Sequence, residues 1–373
     1  MTKPRLRGPE RDHLRFCFAL HRAVSGSGDS CFSPYSVASA LGLTSQATQG
    51  ETAAELVRLL AGADADVTKQ AELLRAAATL EERGRREPPV LEVANTLWAA
   101  EDLPLNEDFL GSLAAWPNGG VKSAPFAGDP EAARRAINAD VSDTTHNLIP
   151  ELLQPGSVGT DTIASLVNAL YLKVAWVHPF QENRTEDADF HSPSGTRRVP
   201  AMHQSELLHY AARDGWQLVE LPGAGDVNAL ILLPDNDLAT AESTLDEDRL
   251  AGLLAAKKQK QVRLSVPKLD LEMRASLKPA LAGLGVRTMF VRDADFTPLT
   301  PDPRLFVDDV VHQSVLRVGE QGFEGAAATA VMIRTLAMIS ADPVELVVDR
   351  PFLLLVRHAP TGVVYFFARV VEP

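Results

Sequence analysis

Cysteine is almost missing from this chain: Cys17 and Cys31 are the only two among 373 residues. Both sit among apolar neighbours, so they read as buried thiols and not as a disulfide framework. No apolar run approaches membrane-spanning length. The basic start, Met1 to Arg7, lacks the apolar stretch and small-residue cleavage site of a signal peptide. No membrane partner is expected, and the location is open between cytoplasmic and extracellular with an export signal absent or removed. Positive charge is also short, with 36 Lys and Arg against 49 Asp and Glu and a net charge of −13. That balance argues against a nucleic-acid surface. Lys257, Lys258 and Lys260 form one short basic run, and Arg83, Arg85 and Arg86 are interleaved with Glu81, Glu82 and Glu87. Such mixing argues against a heparin-like site.

Enzyme chemistry is missing as well. No G-x-S-x-G turn, phosphate-binding loop or dinucleotide fingerprint occurs. Ser265 and Lys268 match S-x-x-K, but in a strand-like run that includes Pro267, where the chemistry wants one helical turn between them. His203, Glu206 and His209 would share a face of a helix, yet they lack the H-E-x-x-H spacing and a third ligand. Asp235 to Asp237 opens like a calcium loop without its Gly and closing Glu, and reads as a turn. Asn183-Arg184-Thr185 is a glycosylation sequon, meaningful only in a secretory pathway. No metal and no cofactor are expected, and the chain is not expected to be an enzyme.

Hydrophobic residues make up 45% of the chain, ample for a large core. Proline and glycine are scattered singly and form no linker, so one domain over residues 1–373 is expected. Helical periods run over Arg11–Val24, Glu51–Leu60, Glu131–Val141 and Asn147–Leu153, with Thr52 and Glu55 fitting a capping box. Strand signals then dominate at Ile163–Leu172, Trp216–Leu221, Val227–Leu233 and Val262–Pro267. Helices followed by strands without strict alternation indicate an α+β fold.

One strand signal has no evident place. From Gly322 to Arg334 one face is Phe323, Gly325, Ala327, Thr329, Val331 and Ile333, apolar or small throughout. The other face, Glu324 to Arg334, begins and ends in charge. Strong strands stand on both sides of it, at Leu305–Val307, Val344–Val348 and Phe352–Val356.

Ten short segments in order give this chain a resemblance to the serpins. Phe32-Ser33-Pro34-Tyr35-Ser36-Val37, Ala47 to Thr52, and Ala94-Asn95-Thr96-Leu97-Trp98 open the series. Leu166 to Lys173 with Trp176 and Phe180 resembles the N-A-I-Y-F-K-G-x-W block, with Val174 in place of the usual Gly. Val199 to Met202, Leu218 to Pro222, Val266 to Leu269, and the one stretch with Gly285, Phe290 and Ala294-Asp295-Phe296 follow. Glu320-Gln321-Gly322 and Arg350-Pro351-Phe352 close it.

The resemblance implies a single large domain with three β-sheets, eight or nine surrounding helices and an exposed reactive-centre loop near residues 320–343. It implies a monomeric suicide inhibitor of a serine protease, which cleaves the loop, is held as an acyl-enzyme, and is carried away as the freed segment inserts in a sheet. The hinge would be Glu320, Gln321, Gly322, Phe323, Glu324, Gly325, Ala326, Ala327 and Ala328. Counting along it places the reactive bond at Leu336-Ala337, suited to a chymotrypsin-like or elastase-like enzyme, with Arg334-Thr335 as the alternative. Lys268, Glu320 and Trp176 resemble the group at the loop base. Ser33, Ser36, Asn168 and His312 resemble the polar cluster where strands part. Phe323 departs from the usual Thr or Ser at the first inward position, and its bulk is expected to slow entry or overpack the site. A non-inhibitory relative acting in binding or chaperoning is the other expectation.

Overall fold

A computed structural model of the chain describes residues 8–62, 67–81, 88–112, 119–302, 305–323 and 343–373. Among them are nine α-helices: α1 Pro9–Val24, α2 Pro34–Gln46, α3 Gly50–Ala61, α4 Val67–Ala77, α5 Glu107–Ser112, α6 Pro130–Thr144, α7 Leu238–Glu242, α8 Glu247–Ala256 and α9 Lys278–Gly283. The strands of the first half are β1 Ser30–Phe32, β2 Val90–Ala100, β3 Gly119–Ala124, β4 Ala164–Ala175, β5 Glu186–Ser192 and β6 Gly195–Arg213. Those of the second half are β7 Trp216–Pro222, β8 Val227–Pro234, β9 Lys258–Pro267, β10 Leu269–Ser276 and β11 Val311–Val318. After them come β12 Gly322–Phe323, β13 Val344–Val347, β14 Phe352–His358 and β15 Val364–Val370.

Two hydrogen-bonded networks result. One runs β10-β11-β12-β4-β2-β3; the other runs β1-β15-β14-β8-β7-β6-β9-β13, with β5 also on β6. The long β6 joins what would otherwise be two sheets, pairing through Ala201 to Tyr210 with β9 and through His209 to Arg213 with β7. β14 and β15 are buried at every position, which explains the apolar runs Phe352–Val356 and Val364–Ala368 within them. α2 is buried nearly all round, as a helix without a polar face must be.

The six-stranded sheet has two packed faces. Leu166, Leu170, Leu172 and Val174 of β4, with Leu316 and Val318 of β11, join the main core. Val167, Ala169 and Val315, on the alternate face, pack under α6 with Trp98, Ile137 and Val141. α6 starts where Asp129 accepts from the Ala132 amide at 2.8 Å. Asn138 brackets Leu153 from both sides, donating to its carbonyl at 2.8 Å and accepting from its amide at 2.7 Å.

Three local expectations are corrected. Asn147–Leu153 is not helical: His146 and Asn147 take positive φ of 50° and 66°, and the apolar residues beyond them drop under α6. Thr52 and Glu55 do not form a capping box, because α3 begins earlier, at Gly50. Thr52 Oγ1 instead accepts from the Asp295 amide at 3.1 Å, and Glu55 accepts from the amides of Arg287 and Thr288, each at 2.8 Å. His203, Glu206 and His209 lie on β6, where Glu206 falls on the face opposite to the two histidines.

Arg369, 5% exposed, ties the chain ends together. Its Nε donates to both oxygens of Glu242 at 2.9 and 3.0 Å, and its Nη1 to the carbonyls of Ser27 and Gly28 at 2.7 and 3.0 Å. Arg369→Ala strands these acceptors and is expected to cost about 3–5 kcal/mol. Arg263→Ala, which breaks an exposed pair with Glu345, is expected to cost under about 1 kcal/mol. Urea unfolding midpoints of the two variants test the contrast.

Candidate functional site

The six-stranded sheet contains a wedge. β4 and β11 pair directly and in parallel only at Asn168 and His312. Above that point β12 lies between them, antiparallel to both, with Phe323 opposite Val174 on one side and Val318 on the other. Adjacent strands stand roughly 4.8 Å apart, so the inserted pair of residues doubles the spacing at one end of the seam.

The turn that brings the chain back is short. Gly319 and Gly322 exchange backbone hydrogen bonds, at 3.0 and 3.3 Å, and Glu320 and Gln321 form its tip. The carbonyls of the tip are held by the amides of Phe180 and Trp176, each at 2.9 Å, and the Trp176 indole donates to the Gly319 carbonyl at 2.9 Å. Gly322 has φ +152°, and a Cβ there would stand 2.0 Å from the Val174 carbonyl oxygen and 2.9 Å from Ala175 Cα. Only glycine fits that approach. Phe323 is 1% exposed and packs on Trp176 with ring centroids 4.7 Å apart. Its burial contributes about 1.5–3 kcal/mol. The expectation that its bulk slows entry meets a different arrangement, since the ring already lies in the sheet.

Lys268 and Glu320 meet here. Lys268 Nζ lies 3.0 Å from Glu320 Oε2, and Thr185 Oγ1 donates to Oε1 at 2.8 Å. Burial raises the Glu320 carboxyl, but the hydrogen bonds from Lys268 and Thr185 outweigh it and hold the group below its ordinary value. Lys268 is 42% exposed and Glu320 12%, so the pair is lodged at a rim and not in the core. Sequence reasoning missed Thr185, which had served only as the last letter of a sequon. Ser265, by contrast, pairs within the sheet with His203 and Val347, remote in role from Lys268.

Ser33, Ser36, Asn168 and His312 gather at the foot of the wedge. Ser33 caps α2, its Oγ accepting from the Ser36 amide at 3.1 Å. Its own amide donates to His312 Nε2 at 3.1 Å, which puts the imidazole proton on Nδ1. That Nδ1 is buried without a hydrogen-bond partner among the described residues. Asn168 accepts from Ser36 Oγ, donates to the Ser36 carbonyl at 2.9 Å, and donates to Asn95 Oδ1. Asn95 is the member that sequence reasoning quoted without a role; a polar residue between Val93 and Leu97 on the core face of β2 was its signal. Of the expected hinge, Glu320 to Phe323 are placed as above, whereas Glu324 to Ala328 and both candidate reactive bonds, Leu336-Ala337 and Arg334-Thr335, lie outside the described residues.

Two outcomes follow. Gly322→Val removes the only residue that fits against Val174 and is expected to expel Phe323 from the sheet, read as a red shift of Trp176 emission with the far-UV spectrum unchanged. Burial pushes His312 down to about 4 from 6.5. The unfolded chain therefore binds that proton first, so the contribution of a neutral His312 is full above pH 6.5 and is lost as pH falls towards 4. His13, also held at about 4 by burial, acts in the same window. His312→Gln is expected to remove part of that slope and leave the His13 part, measured as urea midpoints across the window.

The family profile described as Serpin (serine protease inhibitor) matches residues 12–373. An uncharacterized serpin-like protein of Thermococcus kodakarensis is 30% identical over 362 residues, 96% of this chain and 84% of that protein. The leukocyte elastase inhibitor of Bos taurus is 32% identical over 359 residues, 93% of this chain and 94% of that protein. Among solved structures, the thermophilic serpin Tengpin in its native state superposes with a TM-score of 0.87 at 23% identity, covering 100% of this chain and 96% of that one. Uncleaved ovalbumin gives 0.84 at 22% identity over 98% of this chain and all of its own. Serpins are generally inhibitors and not catalysts. The α+β architecture, the ordered segments and the full-length match agree: this chain belongs to the serpin family.

Proposed function

We propose that this chain inhibits a chymotrypsin-like or elastase-like serine protease by suicide cleavage, using the segment after Phe323 as a strand held in reserve. One observation carries the reading: β12 is already seated between β4 and β11, and both registers point down the same seam. Continued from Phe323 opposite Val174, residue 329 falls opposite Asn168; continued from Phe323 opposite Val318, it falls opposite His312. Those two residues are the present β4–β11 bridge. Two independent registers thus converge on Thr329.

On this reading the protease attacks the Leu336-Ala337 bond and forms an ester with the Leu336 carbonyl, releasing Ala337 as the new amino terminus. Residues 324 onward then enter the seam with the protease attached. Each newly paired residue gains ladder hydrogen bonds worth about 0.5–1.5 kcal/mol net, and each inward side chain of moderate size adds about 1–3 kcal/mol. No proline or charge interrupts the inward face from Phe323 to Ile333. Lys268, Glu320 and Trp176 fix the point from which insertion starts. Ser33, Ser36, Asn168 and His312 hold the seam shut until the strand arrives, and Thr329 brings a hydroxyl to the unpartnered Nδ1 of His312.

Incubation with chymotrypsin, pancreatic elastase and trypsin tests this. An SDS-stable complex with one of the first two, cut after Leu336 by mass spectrometry, and a large rise in thermal stability after cleavage are expected. Thr329→Arg places a charge on the inward face and is expected to turn the protein into a substrate, with complex yield falling at least ~10-fold. Cleavage of the unsubstituted chain without complex or thermal gain favours a non-inhibitory binding or chaperone-like role instead.

A further inference from the structure

Away from the seam, a serine, an imidazole and a carboxylate stand in line between α1, α7 and the C-terminal strand. Ser25 follows the last turn of α1, its amide bonded to the His21 carbonyl at 2.9 Å, which puts residues 21 and 25 on one side of the helix. Ser25 Oγ lies 2.9 Å from His21 Nδ1, and His21 Nε2 lies 3.3 Å from Glu242 Oε2. His21 is 3% exposed and stacks on Phe367, with ring centroids 4.4 Å apart and planes 9° from parallel. That packing fixes the ring.

The protons of the line have one consistent arrangement with a neutral ring. Burial raises the Glu242 carboxyl, but the hydrogen bonds from His21 and Arg369 outweigh it and hold the group below its ordinary value. An ionised Glu242 only accepts, so Nε2 carries the ring proton and Nδ1 is left as an acceptor. Ser25 Oγ donates to Nδ1, and Ser30 Oγ, 2.8 Å away, donates to Ser25 Oγ. A hydroxyl on a base, with the base oriented by a third group, is the arrangement that activates a nucleophile.

The hydroxyl is also within reach. Ser25 is half-buried, and Gly26 to Asp29 beyond it are exposed. Arg369 holds the carbonyls of Ser27 and Gly28, whereas the amides of Gly26, Ser27 and Gly28 have no hydrogen-bond partner among the described residues. The loop beside Ser25 is therefore pinned by its carbonyls and has donors left for a developing oxyanion.

We infer that Ser25 is an activated nucleophile, with His21 as its base and Glu242 as the positioning residue behind it, open to acylation by small activated esters and to phosphonylation by fluorophosphonates. None of these residues belongs to the seam, so the site stands apart from the inhibitory reading. Ser25 Oγ attacks the ester carbon as its proton passes to His21 Nδ1. The bond from that carbon to the leaving oxygen breaks, and the leaving oxygen takes the proton from Nδ1. Water then attacks the Ser25 ester with Nδ1 as base, which releases the acid and restores the serine. With a fluorophosphonate, fluoride leaves phosphorus, the proton passes from His21 to solvent, and the phosphonyl group stays on Ser25.

The full chain is treated with a fluorophosphonate probe, folded and in urea above its unfolding midpoint, and the labelled peptide is identified by mass spectrometry. Label on Ser25 is expected in the folded protein and at least ~10-fold less in the unfolded one, where the base is absent. Release of p-nitrophenol from p-nitrophenyl acetate is expected to fall at least ~10-fold in Ser25→Ala and in His21→Gln, with near-UV circular dichroism confirming their folds. Should His21→Gln not fold, the folded against unfolded labelling decides. Ser25 unlabelled in the folded protein, labelled equally when unfolded, or labelled equally in a folded His21→Gln overturns the inference.

Discussion

The seam between β4 and β11 is the constraint on which the rest depends. Two parallel strands in the middle of a sheet have unsatisfied hydrogen-bonding groups wherever they are not in register contact, and here the contact is a single pair. β12 occupies the wide end and a polar cluster closes the middle. On the proposed inhibitory reading, the native state would be held by a barrier and not by a global minimum.

Opening such a seam disturbs both faces. On the core side it separates Asn168 from His312 and loosens the network that runs from Ser33 and Ser36 to Asn95. On the other side Val315 of β11 and Val167 and Ala169 of β4 share one apolar cluster with α6, so α6 spans the joint. On the proposed insertion, parting the strands by one strand width would break those contacts together, which would make the transition cooperative. The base of the wedge costs less to keep open, because Trp176 binds Phe323 by its ring and the tip of the turn by its two donors.

Much of this was legible in the residues, for local reasons. The α+β class followed from periodicities, and the alternating face of Phe323 to Ile333 from strict period two. Ser33, Ser36, Asn168 and His312 were named through the family resemblance, and the fold brings them within hydrogen-bonding reach from α2, β4 and β11. Where expectation failed, tertiary partners had claimed the side chains. Thr52 and Glu55 have the spacing of a capping box but bond to residues 287–295. Asn147–Leu153 has helical periodicity, but Asn138 pins Leu153 and the chain turns through positive φ.

By itself the sequence determined the family, the strand-forming face after Gly322, and the lack of any enzyme motif, because each is a property of neighbours in the chain. Only the tertiary structure decided that Phe323 is already inside the sheet and that Asn95 and Thr185 complete two polar groups. The reason is physical: register and cavities are set by which strands lie side by side, here segments more than a hundred residues apart, and no local propensity encodes that pairing.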